Sequence, residues 1–401
     1  MIVMICNAGS TSLKFKLYDM PAEKVLASGG VERVGSSDDA IYKYANEAKG
    51  VQIREEKQSV PDYQTGIRRF LADITSEERG VIASVGEIER VGFKTVLSRG
   101  YYGVHELTEP VLQGMRDMYA AAPAHNGPYL AAVEALREVL PETMFVGAFE
   151  TDFHRTIPLE RCIYGVPYEW VEKYGVRRMG YHGASHSYVA SVLENREGKK
   201  YRAVSCHLGG SGSICAIENG ESRDSSFGLT LQTGLIHNNR VGAMDADIVY
   251  YLRAQGLTDE EIQRGMTKEG GLKGISGVSN DLRYVLEAAE QGNERAKLAV
   301  NVYVTGIVRY IAAFAAEMRG LDCIAFTGGI GENSDIIRKM VCERLSYMGI
   351  RLSKRRNTQK TGDRRITKKD SPIRVYVIAA NEELGVARKT YGYEKEIESN
   401  Q

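Results

Sequence analysis

Two segments of this chain, set 200 residues apart, share one plan. The first runs IVMIC, then NAGSTS, then LKFKLYDM; the second runs RAVSC, then HLGGSGS, then ICAIENG. Each reads as a buried apolar strand, a turn of small polar residues and a returning strand, and Asn219-Gly220 closes the second one. At this offset Cys6 meets Cys206 and Gly9 meets Gly209. A repeated supersecondary unit near the start of each half points to an internally duplicated α/β chain. The 401 residues suit two domains, at roughly 150 residues each.

The glycine turns raise the question of phosphate. A third one lies in IAFTGGIGENSDIIRKM, where an apolar strand runs into Gly328, Gly329 and Gly331. A helix is expected after it, capped by Asn333 or Ser334, so that free N–H groups and the helix dipole would face an anion. A plain strand-to-helix turn would need only one glycine. No GxxxxGKS/T loop occurs, and Glu332 and Asn333 break the GxGxxG pattern. Phosphates here would be held by hairpin turns and one helix start, without a Walker lysine.

Other helices are expected over 65–76, 109–120, 128–139, 183–195, 246–255, 281–291, 294–318 and 334–347. Further strands are expected over 144–148, 202–206, 213–217, 323–327 and 374–379. The basic stretch 353–372 reads as a solvated surface loop. Lysine plus arginine and aspartate plus glutamate both total 52, which leaves no footprint for nucleic acid or an anionic membrane. No signal peptide is recognisable, and no apolar run is read as approaching the ~20 residues of a bilayer span. The six cysteines form no CxxC pair, and buried free thiols are expected. A soluble, cytoplasmic protein is the expectation.

Charged residues sit in improbable surroundings. Arg90 lies in the alternating GEIERVGF; Glu150, Asp152 and His154 follow the apolar VGAF; His182 lies in a glycine-flanked turn; Arg240 lies in HNNRVGAMDAD; Glu382 and Glu383 follow VYVIAAN. Each alone is more often structural, and the His182/His186 pair is a weak zinc signal without a zincin glutamate. Together they match the needs of phosphoryl transfer: cations on the equatorial oxygens, carboxylates for magnesium, and alignment.

NAGSTSLKFKLYD, RRMGYHGASHSYV, FTGGIGENS and AANEELGVARKT together resemble the acetate kinase family of carboxylate kinases, in the sugar kinase, Hsp70 and actin superfamily. The resemblance implies two duplicated ribonuclease H-like domains around an interdomain cleft. Their expected bounds are 1–149, completed by 384–401, and 150–383. It implies ATP- and Mg2+-dependent, reversible phosphorylation of a short carboxylic acid of acetate or propionate type, by a homodimer with no nucleic acid or membrane partner. By the same resemblance Asn7 and Glu382 would hold magnesium, and Lys14 would lie near the nucleotide. Arg90 would bind the acid's carboxylate and, with Arg240 and His182, brace the phosphoryl group; Glu150 would take the place of the family's catalytic aspartate. His207, Leu208, Gly209, Gly210 and Ser211 would line the ATP phosphates. Asp281, Leu282 and Arg283, with Gly329, Ile330, Gly331, Glu332 and Asn333, would contact ATP or ADP.

Gly92 and Ala124 replace larger family residues, and Lys94 and Thr95 replace two glycines, which implies a wider, more polar acid pocket. His237, Asn238 and Asn239 would then be placed to meet a hydroxyl or second carboxylate. A kinase for a larger or hydroxylated acid, and a nucleotide-binding pseudo-enzyme of this fold, stay open as alternatives. A chaperone-like clamp would lack its peptide-binding domain.

Overall fold

The computed structural model describes residues 1–9, 11–360 and 362–394. The chain forms two units, Met1–Asp152 with Asn381–Gln401, and Phe153–Ala380. The changeovers therefore place Glu150 and Glu382 in the first unit, a few residues from the bounds expected from sequence. Residues 395–401 of the expected C-terminal completion lie outside the described residues.

The first unit is built on eight strands: β1 (Ile2–Gly9), β2 (Ser12–Asp19), β3 (Lys24–Glu32), β4 (Ser36–Asn46), β5 (Val51–Val60), β6 (Ile88–Phe93), β7 (Val104–Glu106) and β8 (Met144–Ala148). Their order is β5-β4-β3-β2-β1-β6-β8-β7. β1 to β5 form an antiparallel meander, whereas β1, β6 and β8 run parallel. β1 reads as a continuous apolar run because helices cover both its faces. Val3 and Ile5 pack with Val386 and Ala387 of the helix Glu382–Tyr391. On the opposite face Phe15, paired with Cys6, stacks on Phe70 of the helix Tyr63–Thr75, with ring centroids 4.7 Å apart.

The second unit contains β9 (Arg202–Leu208), β10 (Gly212–Glu218), β11 (Glu221–Ser225), β12 (Cys323–Thr327), β13 (Arg364–Arg365) and β14 (Arg374–Val377), in the order β11-β10-β9-β12-β14-β13. Strand alternation again sorts two cores. Val204, Cys206, Ile324 and Phe326 pack with the helix Glu294–Glu317, and Ala203, Cys215, Cys323 and Ala325 with the helix Gly183–Glu197. Asn219 and Gly220 both adopt positive φ, 55° and 86°, in the two-residue turn between β10 and β11.

The duplication is visible in the sheets. In each unit a three-stranded meander, β3-β2-β1 or β11-β10-β9, continues into two parallel strands, β6 and β8 or β12 and β14. Cys6 lies opposite Phe93 in its parallel neighbour, and Cys206 lies opposite Phe326. All six cysteines are buried and free.

Two expectations are corrected here. Stretch 353–372 is not a loop throughout: it holds the helix Lys354–Asn357 and β13, and buries Asn357, Ile366, Thr367 and Ser371. Its basic side chains conceal the few residues that anchor it. The helix Glu294–Glu317 is also long and apolar enough to cross a membrane, contrary to the reading of the sequence. Ala299, Tyr303, Ile307 and Ile311 of this helix lie in the core of the second unit.

Candidate active site

In an open α/β sheet, ligands gather at the carboxyl ends of the parallel strands. In the first unit Asn7 lies near the end of β1, Lys94 directly follows β6, and Glu150 follows β8 by two residues. The helix Glu382–Tyr391 brings its first residue to the same place. Lys94 Nζ donates to Glu382 Oε2 at 2.5 Å and lies 3.9 Å from Glu150 Oε1. Burial works against the Lys94 charge, but the carboxylates of Glu150 and Glu382 outweigh it and hold the ammonium above the usual lysine range. Tyr129 donates its hydroxyl to Asn7 Oδ1 at 2.7 Å, and Lys14 pairs with Asn7 across β1 and β2. Lys16 is tied to Glu383 at 2.9 Å.

Asn7, Glu150 and Glu382 form a set of hard oxygen donors carrying one surplus negative charge beside Lys94. That chemistry suits magnesium, which takes one or two carboxylates and completes its shell with water and substrate phosphates. Among the described residues there is no cluster of three or more His, Cys, Asp or Glu side chains fit for a tighter all-protein site.

Arg90 is engaged elsewhere. Its Nη1 donates to the carbonyls of Thr390, Tyr391 and Tyr393, at 2.8, 2.8 and 2.6 Å, where the helix Glu382–Tyr391 ends. Arg90 precedes Lys94 by four residues, ~13 Å of strand. The helix thus has Glu382 against Lys94 at its start and these carbonyls on Arg90 at its end. This corrects the sequence reading of Arg90 as a carboxylate-binding residue: the guanidinium caps a helix C-terminus. Gly92 does not open an acid pocket either. A Cβ there would lie 2.2 Å from Thr390 Oγ1 and 2.8 Å from Ile5 Cδ1, so the glycine lets the helix approach the strand. Ala124 is exposed in the first turn of the helix Pro123–Val139.

In the second unit, residues 209–211 form the loop between β9 and β10, where Gly212 pairs with Leu208. The Gly209 N–H donates to Ser211 O at 3.1 Å, and the Asn238 N–H donates to Gly210 O at 3.1 Å. Arg240 Nη2 donates to Ser211 Oγ at 2.5 Å. Burial lowers the Arg240 guanidinium to about 10, still charged at neutral pH. The ring of His182 stacks on His207 with centroids 4.2 Å apart. His182 enters the helix Gly183–Glu197 in left-handed conformation, φ 57°, and its Nδ1 lies 2.9 Å from Ser213 Oγ. The same hydroxyl lies 2.8 Å from His186 Nε2, and Ser185 Oγ meets His207 Nδ1 at 2.8 Å. His182, His207, Ser211 and Arg240 are thereby gathered on one hairpin.

The third glycine turn lies directly beside it. A Cβ on Gly328, whose φ is 76°, would lie 2.8 Å from the Leu208 carbonyl. The glycines do not precede the expected helix but form a short one, Gly328–Asn333, and Ser334 then caps Asp335–Arg344. Glu332 Oε1 accepts from the N–H groups of Gly328 and Ala380, at 3.1 and 2.9 Å, and Asn333 Nδ2 donates to Gly329 O. Buried Arg338 donates to the carbonyls of Gly331 and Glu332, each at 2.8 Å, and to Asn357 Oδ1 and O.

Asp281 caps the helix Leu282–Glu290 and pairs with Arg283 at 2.5 Å. Leu282 is 4% exposed, and its side chain belongs to the core. His237 is likewise no surface residue. Its Nδ1 accepts the Gly212 N–H at 3.1 Å, its ring stacks on Phe227, and burial lowers its pKa to about 3. Reading the sequence passed over Tyr129, Ser213 and Arg338, and took Lys94 only as a substitution. The signal for Lys94 was a lysine inside the apolar VGFKTVL; the others had none, since their partners are distant in sequence.

The sequence pattern of the acetokinase family matches residues 2–388. Acetate kinase of Shouchella clausii is 39% identical over 97% of this chain and 98% of its own. Acetate kinase of Bacillus subtilis is 38% identical over 96% and 98%. Among solved structures, acetate kinase of Porphyromonas gingivalis superposes with a TM-score of 0.88 at 35% identity, covering 97% of this chain and 98% of that one. A propionate kinase of Francisella tularensis gives 0.89 at 30% identity, covering 98% and 100%. With the duplicated fold and the polar strand ends, these likenesses show that the chain belongs to the acetokinase family, phosphotransferases with a carboxyl group as acceptor.

Proposed function

We propose that this protein moves the γ-phosphoryl group of ATP onto the carboxylate of acetate or propionate, reversibly. A carboxylate oxygen bonds to phosphorus, the bond from phosphorus to the β,γ-bridging oxygen breaks, and ADP leaves. The observation that carries this reading is the gathering of His182, His207, Ser211 and Arg240 on a glycine hairpin. Carboxylic acids with pKa near 4 are ionised at neutral pH, so no general base is required. The load falls on charge and alignment. Arg240 and His182 brace the phosphoryl oxygens, and the backbone of residues 207–211 and 329–333 lines the nucleotide phosphates. Asp281 and Arg283 serve the nucleoside. Asn7 and Glu382, with Glu150 close by, would hold Mg2+, which when bound neutralises phosphate charge.

Larger acids lose their main support, because Gly92 is packed against Thr390. Retention of Arg240, His182 and Glu382 in ordered surroundings favours turnover over a silent nucleotide binder. Hydroxamate trapping with Mg·ATP across plain and hydroxylated acids of two to five carbons is the test. Acetyl or propionyl hydroxamate is expected; no product from any acid would overturn the reading.

A homodimer is proposed on the face of the helix Glu294–Glu317 that leaves Leu298 and Val302 54% and 36% exposed. Light scattering at twice the 44.4 kDa chain mass is expected. Six buried thiols without a disulfide support a reducing compartment, the cytoplasm.

A further inference from the structure

We propose that Ser213 is a positioning residue for phosphoryl transfer: its hydroxyl ends a hydrogen-bonded relay from Ser205 through His186 and keeps the proton of His182 on Nε2. The inference rests on the reading of His182 as a brace for the phosphoryl oxygens and identifies what fixes that ring's proton.

Strand alternation sets the relay in place. Ser205 and His207 lie two apart on β9, and Ser213 of β10 pairs with His207, so all three share one face of the sheet. The helix Gly183–Glu197 packs on that face. His182 at its N-cap and His186, four positions on, share one side of the helix. His186 Nδ1 lies 2.9 Å from Ser205 Oγ, and its Nε2 lies 2.8 Å from Ser213 Oγ. Ser213 Oγ in turn lies 2.9 Å from His182 Nδ1. Ser205, His186 and Ser213 are all buried. The titratable rings facing the relay are His207, stacked on His182 at 4.2 Å, and His154, 5.8 Å from His186. His207 meets Ser185 Oγ, His154 meets Ser222 Oγ, and Arg240 reaches the same hairpin at Ser211.

Counting protons gives the relay a direction. A hydroxyl has one proton to give, and a neutral imidazole has one N–H and one bare nitrogen. Burial, with His154 and His207 nearby, holds His186 well below the usual histidine range, so this ring is neutral. Ser213, set between two ring nitrogens, donates to one and accepts from the other. The far end decides which. Among the described residues, His186 Nδ1 is the one hydrogen-bond partner of the Ser205 hydroxyl. If His182 donated inward to Ser213, His186 Nδ1–H would donate to Ser205 and leave the Ser205 proton without an acceptor in the core. Buried polar groups resist that arrangement. In the other direction Ser205 donates to His186 Nδ1, His186 Nε2–H donates to Ser213, and Ser213 donates to His182 Nδ1. Every buried proton then has an acceptor, and His182 carries its own on Nε2. A phosphoryl oxygen only accepts, so an N–H is what can brace it.

Histidine spectra test the relay directly. The chain has seven histidines, few enough to resolve by 15N-histidine labelling and two-bond proton–nitrogen correlation. In the wild type at neutral pH, His182 and His186 should each show a protonated Nε2 and a bare Nδ1, assigned with His182→Asn and His186→Gln. A proton on Nδ1 of either ring would overturn the proposal. Ser213→Ala should move the His182 Nδ1 resonance toward that of a nitrogen with no donor. It should also lower kcat about tenfold or more, with KM for ATP and for the acid within about threefold of wild type. Ser205→Ala touches His182 only through three successive hydrogen bonds. It should nevertheless shift the His182 nitrogens toward a mixture of tautomers, a change that a merely structural serine would not produce. Unmoved His182 resonances in both serine variants, or a kcat within about twofold of wild type in Ser213→Ala, would overturn the proposal. If wild type makes no acyl phosphate, the kinase reading fails by itself. The spectra then still decide the relay: the expected tautomers and shifts uphold it, and their absence overturns it.

Discussion

Arg90 lies inside β6 and Lys94, four positions on, directly follows it, and this spacing separates a fastening from the carboxylate cluster of Glu150 and Glu382. Arg90 donates to the last two carbonyls of the helix Glu382–Tyr391, which the helix cannot satisfy internally, and to that of Tyr393 just beyond it. Arg90→Ala should therefore lower unfolding stability by about 2 kcal/mol, since hydrogen bonds from charged donors contribute roughly that much. The shift is read from the urea midpoint, and turnover of the folded fraction should stay near wild type. Gly92→Val makes a complementary case. Its new side chain meets Thr390 and Ile5, so overpacking should cost about 1–3 kcal/mol. The ratio of kcat/KM for propionate to that for acetate should stay within about twofold in the same protein, because no pocket wall is rebuilt.

At the scale of elements, the glycine turns work because something behind them is rigid. The short helix Gly328–Asn333 is held from below by Arg338, which is 1% exposed and also clamps Asn357. This explains why a basic stretch that looks dispensable in sequence folds back onto the site. Arg338→Met leaves the carbonyls of Gly331 and Glu332 without their donor. About 3 kcal/mol of stability should be lost, within the range for unsatisfied buried groups. The KM for ATP should rise severalfold while that for the acid moves little; an unchanged KM for ATP would detach this helix from nucleotide binding.

At the scale of the whole molecule, buried neutral histidines make stability depend on pH. Burial lowers His237 to about 3 and depresses His186 as well, with His154 and His207 adding to the effect on His186. In the unfolded chain both titrate near 6.5. Above that pH neither state binds the extra protons, so the histidines contribute no pH dependence. Below it, the unfolded chain binds protons that the folded one refuses, and stability falls with decreasing pH. Each histidine should contribute about 1.4 kcal/mol per pH unit between 6.5 and its folded pKa, which for His237 is about 3. Urea midpoints at pH 7, 6 and 5 measure the slope, and His237→Gln should remove the share of one histidine.

Sequence alone determined the duplicated plan, the two hairpin turns, the third glycine turn and the place of His182 and Arg240. These are local patterns: apolar runs, glycines where the backbone must turn tightly, and polar residues beside them. The strands β3 to β5 escaped notice because their burial depends on neighbours, as in Tyr42, buried between the half-buried Ile41 and Lys43. Tertiary structure alone decided which charges serve which purpose. Arg90 in β6 and Lys94 just after it are both cations, and only the helix returning almost 300 residues later distinguishes them, with carbonyls at one end and Glu382 at the other. His237, read as placed to meet a hydroxyl or second carboxylate, is likewise enclosed by the second unit's packing. A side chain's chemistry is written in its own residue, but its partners are set by where distant segments meet.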